Sequence, residues 1–245
     1  MLTEKINLCE NPGVTLTTYI LDSSPEMPNM LKRPAVLVIP GGAYKMCSDR
    51  EAEPIAMAFA AQGYNAFVLR YSVGEDKSFE TSLRDAETAL GMIYDRAEEW
   101  NVIKDKVAVI GFSAGGHLAA ALSTMGSVRP AACLLGYPCI LEEISEILAF
   151  PVPGLDKKVD GKTPPTFIFA SSQDKTVPII NSVKYAAALA EQKVPFEMHI
   201  FERGWHGFSL CTPHVCASPE SVEENKHASQ WFRLCMDWLN DTFSM

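Results

Sequence analysis

The sequence has no long apolar run and no excess of positive charge. Its longest apolar stretches, at 35–40 and 131–135, fall far short of the roughly 18 residues that predict a membrane-spanning helix. Lys and Arg number 21 against 30 Asp and Glu, which leaves a net charge of −9. We therefore expect neither a membrane nor a nucleic acid as a partner, because both present negative charge.

Signs of export and of metal binding are also missing. Residues 1–7 lack the basic start and the apolar stretch of a signal peptide. The seven cysteines are an odd number with irregular spacing, so we expect reduced thiols and a cytoplasmic location, unless an export signal was trimmed away. Cys211, His214 and Cys216 stand close together, but no second ligand pair follows at zinc-site spacing. Neither a metal nor a cofactor is expected.

Short apolar runs alternate with helical patterns along all 245 residues. Unbroken apolar runs such as 35–39 predict strands buried on both faces. Between such runs, apolar residues recur at three- and four-residue intervals, which predicts amphipathic helices. With no repeat or linker, the chain is predicted to be one α/β domain, 1–245, with a mostly parallel sheet flanked by helices on both faces. The predicted strands are 14–21, 35–39, 65–70, 107–111, 131–136, 166–170 and 196–201, and the predicted helices are 52–62, 79–100, 115–124, 179–192 and 223–240.

One segment, at about 140–162, fits neither pattern. It combines a short apolar and acidic stretch with two prolines, a glycine and a charged end. We interpret it as a short lid or loop insertion.

The clearest chemical motif is Gly-Phe-Ser-Ala-Gly at 111–115, directly after one predicted strand and directly before a predicted helix. This context presents a serine on a sharp strand-to-helix turn, where small neighbours allow a close approach of backbones. The helix N-terminus beneath it favours negative charge. Ser113 is therefore the candidate nucleophile, and the backbone N–H of Ala114 is a candidate donor to an oxyanion.

A serine hydroxyl needs a base, and the base needs a carboxylate to orient it. Of the five histidines, His206 follows the 196–201 strand between glycines that free the backbone, so it is the candidate base. Asp174 follows the 166–170 strand and precedes a helix, so it is the candidate acid. The other strand-end acid, Glu202, is too close to His206 in sequence to reach the imidazole easily. The order Ser, Asp, His is one of the known serial arrangements.

Four motifs together resemble the α/β-hydrolase superfamily, and more narrowly its small acetyl-xylan-esterase-like and carboxylesterase-like serine hydrolases. They stand at 40–44 (Pro-Gly-Gly-Ala-Tyr), 111–119, 174–178 and 204–208. The resemblance implies the α/β-hydrolase fold, and it implies that the N–H groups of Gly42, Ala43 and Ala114 form an oxyanion hole. Pro40 departs from the broader esterase and lipase pattern, which has histidine there.

Several aromatic residues flank these motifs and are candidates to bind substrate or to stack on a sugar, although core packing is an equal alternative: Tyr44, Tyr137, Trp205 and Phe208. The resemblance implies an acetylesterase that acts on acetylated carbohydrates such as xylo-oligosaccharides, so the expected partner is a small-molecule or oligosaccharide ester. Alternatives are an amide hydrolase of the aryl-formamidase or small peptidase type, and a hydrolase-fold binding protein without catalysis. A homo-oligomer is compatible with the sequence.

Overall fold

Eight strands form one sheet at the centre of the protein, and the computed structural model describes residues 1–245. The strands are β1 (Lys5–Asn7), β2 (Thr15–Tyr19), β3 (Arg33–Ile39), β4 (Asn65–Arg70), β5 (Val102–Phe112), β6 (Ala132–Gly136), β7 (Thr166–Ser171) and β8 (Phe196–Phe201). Their order across the sheet is β1-β2-β4-β3-β5-β6-β7-β8. Strand β2 pairs antiparallel with both of its neighbours, β1 and β4. The six strands from β3 to β8 are parallel to one another.

Helices cover both faces of this sheet. They are α1 (Glu53–Ala61), α2 (Phe79–Asp95), α3 (Ala114–Met125), α4 (Ile180–Glu191), α5 (Pro219–Asn225) and α6 (Trp231–Phe243). Successive residues of β3 face opposite cores, with Leu37 in the core that includes α2 and α3 residues and Val38 in the core that includes α1 and α6 residues. Because a strand alternates its side chains, an unbroken apolar strand needs a helical layer on each face. The predicted mostly parallel sheet with two helical layers is confirmed.

The predicted elements differ from the observed ones at several places, and β5 begins at Val102 rather than at 107. The helix predicted over 79–100 ends at Asp95. The region predicted as one helix over 223–240 contains two helices. The first, α5, starts at Pro219, is capped by the Ser218 side chain and ends at Asn225, and the second is α6. The short strand β1 was not predicted, since its pattern is exposed and polar. Ser218 followed by proline is a helix-start signal that the sequence carried.

The segment predicted as a lid, 140–162, is mostly turns with one short helical stretch at Glu142–Ile147. Several of its apolar side chains, among them Ile144 and Leu148, are buried in the core beside α3. The Ala149 N–H donates to the Ala43 carbonyl at 2.9 Å, so the segment lies against the loop after β3. A lid function for it stays a prediction.

The carboxyl ends of β3, β5, β7 and β8 lie at one edge of the sheet, because these strands are parallel. The loops that follow them carry all of the residues predicted to act chemically, and ligands of open α/β sheets bind at this edge. No helix of the protein is both long and apolar enough to cross a membrane. A cytoplasmic location stays a prediction.

Candidate active site

Ser113 occupies a strained turn between β5 and α3. Its φ of 53° lies in the left-handed region, which is unfavourable for a residue with a Cβ. The turn is tight because a Cβ on Gly115 would lie 2.3 Å from the Ile39 carbonyl oxygen, so only glycine fits there. The Ser113 N–H donates to the Gly136 carbonyl at 3.0 Å, which fixes the turn against β6. The turn therefore holds the serine at the edge of the sheet in a strained backbone conformation.

A continuous line of hydrogen bonds joins Ser113 to His206 and Asp174. The Ser113 Oγ lies 2.8 Å from His206 Nε2, and His206 Nδ1 lies 2.6 Å from Asp174 Oδ2. A carboxylate can only accept, so Nδ1–H donates to Asp174 and Nε2 accepts from the serine hydroxyl. The structure therefore brings together the three residues that the sequence predicted, in one line of hydrogen bonds.

The backbone of its own loop holds the Asp174 carboxylate. Its Oδ1 accepts hydrogen bonds from the N–H groups of Thr176 at 2.8 Å and Val177 at 2.9 Å, and its side chain is almost fully buried. These donors leave Oδ2 for the imidazole. Asp174 therefore forms the turn with one oxygen and contacts His206 with the other.

The loop after β3 presents backbone donors beside Ser113. The N–H groups of Gly42, Ala43 and Ala114 donate to no acceptor within the protein. Gly42 has a φ of 128° and Ala43 a φ of 56°. A Cβ on Gly42 would lie 2.2 Å from the Met46 carbonyl oxygen, so this conformation requires glycine. Unpaired donors on a rigid loop are what stabilisation of a developing oxyanion needs.

A buried carboxylate, Glu51, supports this loop. It lies in a short helical turn at Asp49–Glu51 and is 3% exposed. Its Oε2 accepts from the Gly41 N–H at 2.9 Å, and its Oε1 accepts from the Tyr137 hydroxyl at 2.7 Å. Burial raises the pKa of Glu51, while these two hydrogen bonds and the nearby His206 and Arg50 oppose the rise. Glu51 is not predicted from the sequence, because an acidic residue before a helix is usually a solvated first-turn residue.

The nucleophile opens onto a cleft of about 340 Å³. Its floor includes Cys139, whose Sγ lies 4.0 Å from Ser113 Oγ. Burial raises the pKa of Cys139 to about 12, so this thiol is neutral and serves as a small apolar surface. The remaining lining residues are Gly42, Ala43, Lys45, Met46, Ser48, Arg50, Glu51, Ile147, Leu148, Thr176, His206 and Gly207.

A second cleft, of about 560 Å³, adjoins the other side of His206. Trp205 forms its one hydrophobic wall and is 53% exposed, which is unusual for tryptophan. The Trp205 N–H donates to Asn225 Oδ1 at 2.7 Å, so α5 anchors this residue. Apart from Gly204, the other lining residues have side chains that can form hydrogen bonds. They are Gln173, Lys175, Thr176, His206 and Glu224.

Three of the four aromatic residues that were candidates to contact substrate lie behind the site rather than on its surface. Tyr44 is fully buried, and its hydroxyl donates to His117 Nδ1 at 2.9 Å. Tyr137 is also buried, and its ring lies edge-on to the His206 ring with centroids 5.1 Å apart. Both rings turn inward and their hydroxyls have protein partners, so neither offers surface to a ligand in this structure. Phe208 is likewise buried, against Tyr137.

Two family descriptions match successive parts of the chain. Residues 24–133 match the BD-FAE family, and residues 150–245 match the prolyl oligopeptidase family. The first match contains the loop after β3 and Ser113, and the second contains Asp174 and His206.

Two curated bacterial proteins are similar over about three quarters of the chain. Endo-1,4-beta-xylanase B of Butyrivibrio fibrisolvens is 35% identical in an alignment of 210 residues that covers 74% of this chain and 33% of that protein. An acetylxylan esterase of Xylanibacter ruminicola is 31% identical in an alignment of 201 residues that covers 73% of this chain and 42% of that protein. The chain thus spans less than half the length of each of these relatives.

Two solved structures match the chain over nearly its whole length. MGS-M1, an alpha/beta hydrolase enzyme from a Medee basin deep-sea metagenome library, is 45% identical with a TM-score of 0.94 and covers 100% of this chain and 99% of its own. An acetyl ester-xyloside bifunctional hydrolase from Caldicellulosiruptor lactoaceticus is 30% identical with a TM-score of 0.81, over 97% of this chain and 96% of its own. The fold predicted from the four motifs is confirmed.

Proposed function

The chain belongs to the α/β-hydrolase family, and from this premise we propose that it is a serine esterase that hydrolyses short-acyl esters of carbohydrates. One observation carries the proposal: the hydrogen bonds of 2.8 Å and 2.6 Å that connect Ser113, His206 and Asp174. A serine aligned in this way with a histidine and a buried carboxylate is the arrangement that activates a hydroxyl for acyl transfer.

In the proposed mechanism the Ser113 Oγ attacks the ester carbonyl carbon while His206 Nε2 takes the hydroxyl proton. Asp174 holds the imidazole and stabilises the positive charge that it gains. His206 then gives the proton to the leaving alcohol, and an acyl group stays on Ser113. Water, activated by His206, attacks this acyl-enzyme and releases the carboxylic acid.

The oxyanion of each tetrahedral intermediate would be held by the N–H groups of Gly42, Ala43 and Ala114. Their freedom from protein acceptors supports this assignment. Donors that are already oriented need no reorganisation as charge develops, which is why they lower the barrier. The α3 N-terminus adds a favourable partial positive charge at the same place.

The small cleft favours a short acyl group. Cys139 lies beside the nucleophile, and Ile147 and Leu148 border the same space from the 140–162 segment. A cleft of about 340 Å³ must hold the reacting carbonyl as well as the acyl chain. We therefore infer a preference for acetyl and propionyl esters, since each further methylene has to displace packed side chains.

The larger second cleft is suited to a sugar as the alcohol part. Its exposed Trp205 ring offers an apolar face on which a pyranose ring can stack, and Gln173, Lys175 and Glu224 supply donors and acceptors for hydroxyl groups. The named acetylxylan esterase and acetyl ester-xyloside hydrolase among the relatives support the same substrate class.

An amide is the second candidate substrate, because residues 150–245 match the prolyl oligopeptidase family. The same relay cleaves amides when His206 can protonate the leaving amine.

Initial rates would distinguish these substrates. The panel contains p-nitrophenyl esters from acetate to octanoate, acetylated xylo-oligosaccharides and N-formylkynurenine, each assayed with wild type and with Ser113→Ala. We expect the acetyl esters to be preferred and Ser113→Ala to lower kcat by about 10³-fold or more. Octanoate or N-formylkynurenine as the best substrate would contradict the proposal, and so would full activity of Ser113→Ala.

A further inference from the structure

Glu51 is a buried acidic residue that takes no part in the proposed proton transfers. Taking a carboxylate out of water is costly unless hydrogen bonds compensate for it. Both oxygens of Glu51 accept hydrogen bonds. The Gly41 N–H donates to Oε2, and the Tyr137 hydroxyl, which itself accepts from the Ser209 N–H, donates to Oε1. The bonds to two separate loops favour the carboxylate form and oppose the burial that raises the pKa of Glu51.

One bond of Glu51 controls the loop that carries the proposed oxyanion donors. The Gly41 N–H donates to Oε2 at 2.9 Å, and Gly41 directly precedes Gly42 and Ala43. This loop has positive φ angles at successive residues, so it needs fixed anchors to keep its conformation. The orientation of the Gly42 and Ala43 donors thus depends on the Gly41 anchor.

The other bond of Glu51 controls the loop that carries His206. Tyr137 donates to Oε1 at 2.7 Å and accepts from the Ser209 N–H at 3.1 Å, three residues after His206. A Cβ built on Gly207 would lie 3.7 Å from Oε1, so the carboxylate also reaches the backbone next to the base. Tyr137 itself packs edge-on against the imidazole.

We propose that Glu51 is a positioning residue for the hydrolysis, which couples the loop with the oxyanion donors to the loop with His206 and places a negative charge near the imidazole. This role rests on the proposed esterase function. The ionisable groups near Glu51 are Arg50, Tyr71, Tyr137, Cys139 and His206, and the imidazole also has Asp174, Lys175 and Glu224 around it. Asp174 bonds to the imidazole directly, whereas Glu51 lies in a different loop.

The test compares kcat, KM, the pH profile and Tm of Glu51→Gln with those of wild type on one acetyl ester. Glutamine keeps the size of the side chain but loses the charge and one acceptor. We expect kcat to fall about 10- to 100-fold with KM within about twofold, because the lost interaction acts mainly on the charged transition state. We also expect the acid limb of the kcat/KM profile to move to lower pH, because a nearby anion favours the protonated imidazole.

Two further variants make the result specific. Tyr137→Phe keeps the ring but removes the hydroxyl, and its loss of kcat should be less than multiplicative with that of Glu51→Gln, since both act through one network. Asp85→Asn is the matched control, because Asp85 is another buried carboxylate that accepts a backbone hydrogen bond, from Ser72 at 2.8 Å. It should lower Tm and leave kcat and the pH profile unchanged.

The proposal is overturned if Glu51→Gln and Tyr137→Phe behave like Asp85→Asn, with only Tm affected. If Glu51→Gln does not fold, Tyr137→Phe decides the question by the same measurements, with a fall in kcat at unchanged KM supporting the proposal. Failure of the esterase function itself is distinguishable, because wild type would then be inactive on every ester or Ser113→Ala would stay active. If wild type hydrolyses esters and both Glu51→Gln and Tyr137→Phe keep its kcat, only the role of Glu51 is rejected and the esterase function stands.

Discussion

From the burial of His117 we predict that the free energy of unfolding decreases as the pH falls from 6.5 to 4. The side chain lies on α3 and is fully buried. Its Nε2–H donates to the Pro153 carbonyl at 3.0 Å, and its Nδ1 accepts from the Tyr44 hydroxyl at 2.9 Å. Burial lowers the pKa of His117 from 6.5 to about 4, against a smaller opposing effect of the Pro153 bond. The native protein therefore holds this residue neutral.

The sign and size of the effect follow from proton linkage. Between pH 4 and pH 6.5 the unfolded chain binds a proton at His117 that the folded protein does not, so the free energy of unfolding falls as the pH falls. A pKa lowered from 6.5 to about 4 corresponds to about 3 kcal/mol when the shift is complete, and to about 2 kcal/mol at pH 5. Either value is a large part of the free energy of unfolding of most domains, which is roughly 5–15 kcal/mol.

Urea unfolding at pH 7.5 and pH 5 measures this effect in wild type and in His117→Gln. Glutamine can still bond to Tyr44 and Pro153 but cannot take a proton. We expect the difference in free energy of unfolding between the two proteins to change by about 2 kcal/mol between the two pH values, in favour of the variant at pH 5. The exposed His227→Gln serves as the control and should follow wild type. An equal pH dependence of wild type and His117→Gln would show that His117 is not held neutral by the fold.

Three further predictions concern the proposed site. Gly42→Ala should lower kcat about 100-fold or more without unfolding the protein in circular dichroism, because a Cβ there meets the Met46 carbonyl oxygen at 2.2 Å and displaces an oxyanion donor. Leu148→Ala should raise kcat/KM for butyrate relative to acetate about tenfold, and an unchanged ratio would exclude Leu148 from the acyl cleft. Asp174→Asn should lower kcat by up to about 10⁴-fold while the Thr176 and Val177 hydrogen bonds keep the loop folded, so a near-normal kcat would contradict its orienting role.

The sequence predicted the sheet and the three linked residues because each motif stands directly after an apolar strand. Parallel strands bring their carboxyl ends to one edge, so Ser113, Asp174 and His206 could be placed together without knowing the register. The bounds of α5 and α6 were less accessible, because a periodic apolar pattern over 223–240 does not reveal where the chain turns between two helices.

The orientation of side chains at the site could not be predicted in the same way. Tyr44 ends the motif at 40–44 and Tyr137 follows β6, yet both have positive φ angles and buried rings. Glu51 gains its importance from Tyr137, which is 86 residues away in sequence, so no local pattern indicates that its carboxylate is buried. Contacts of this range depend on how the loops pack, and that information is spread over the whole chain.

In the proposed function Ser113 is the nucleophile and His206 activates it. Both roles are tested by treating wild type and His206→Ala with a fluorophosphonate and locating the adduct by peptide mass spectrometry. We expect rapid labelling of wild type at Ser113 alone and labelling of His206→Ala slower by at least about 10³-fold, since the hydroxyl lacks its base. Labelling of wild type at another serine, or equal labelling rates in both proteins, would contradict these roles.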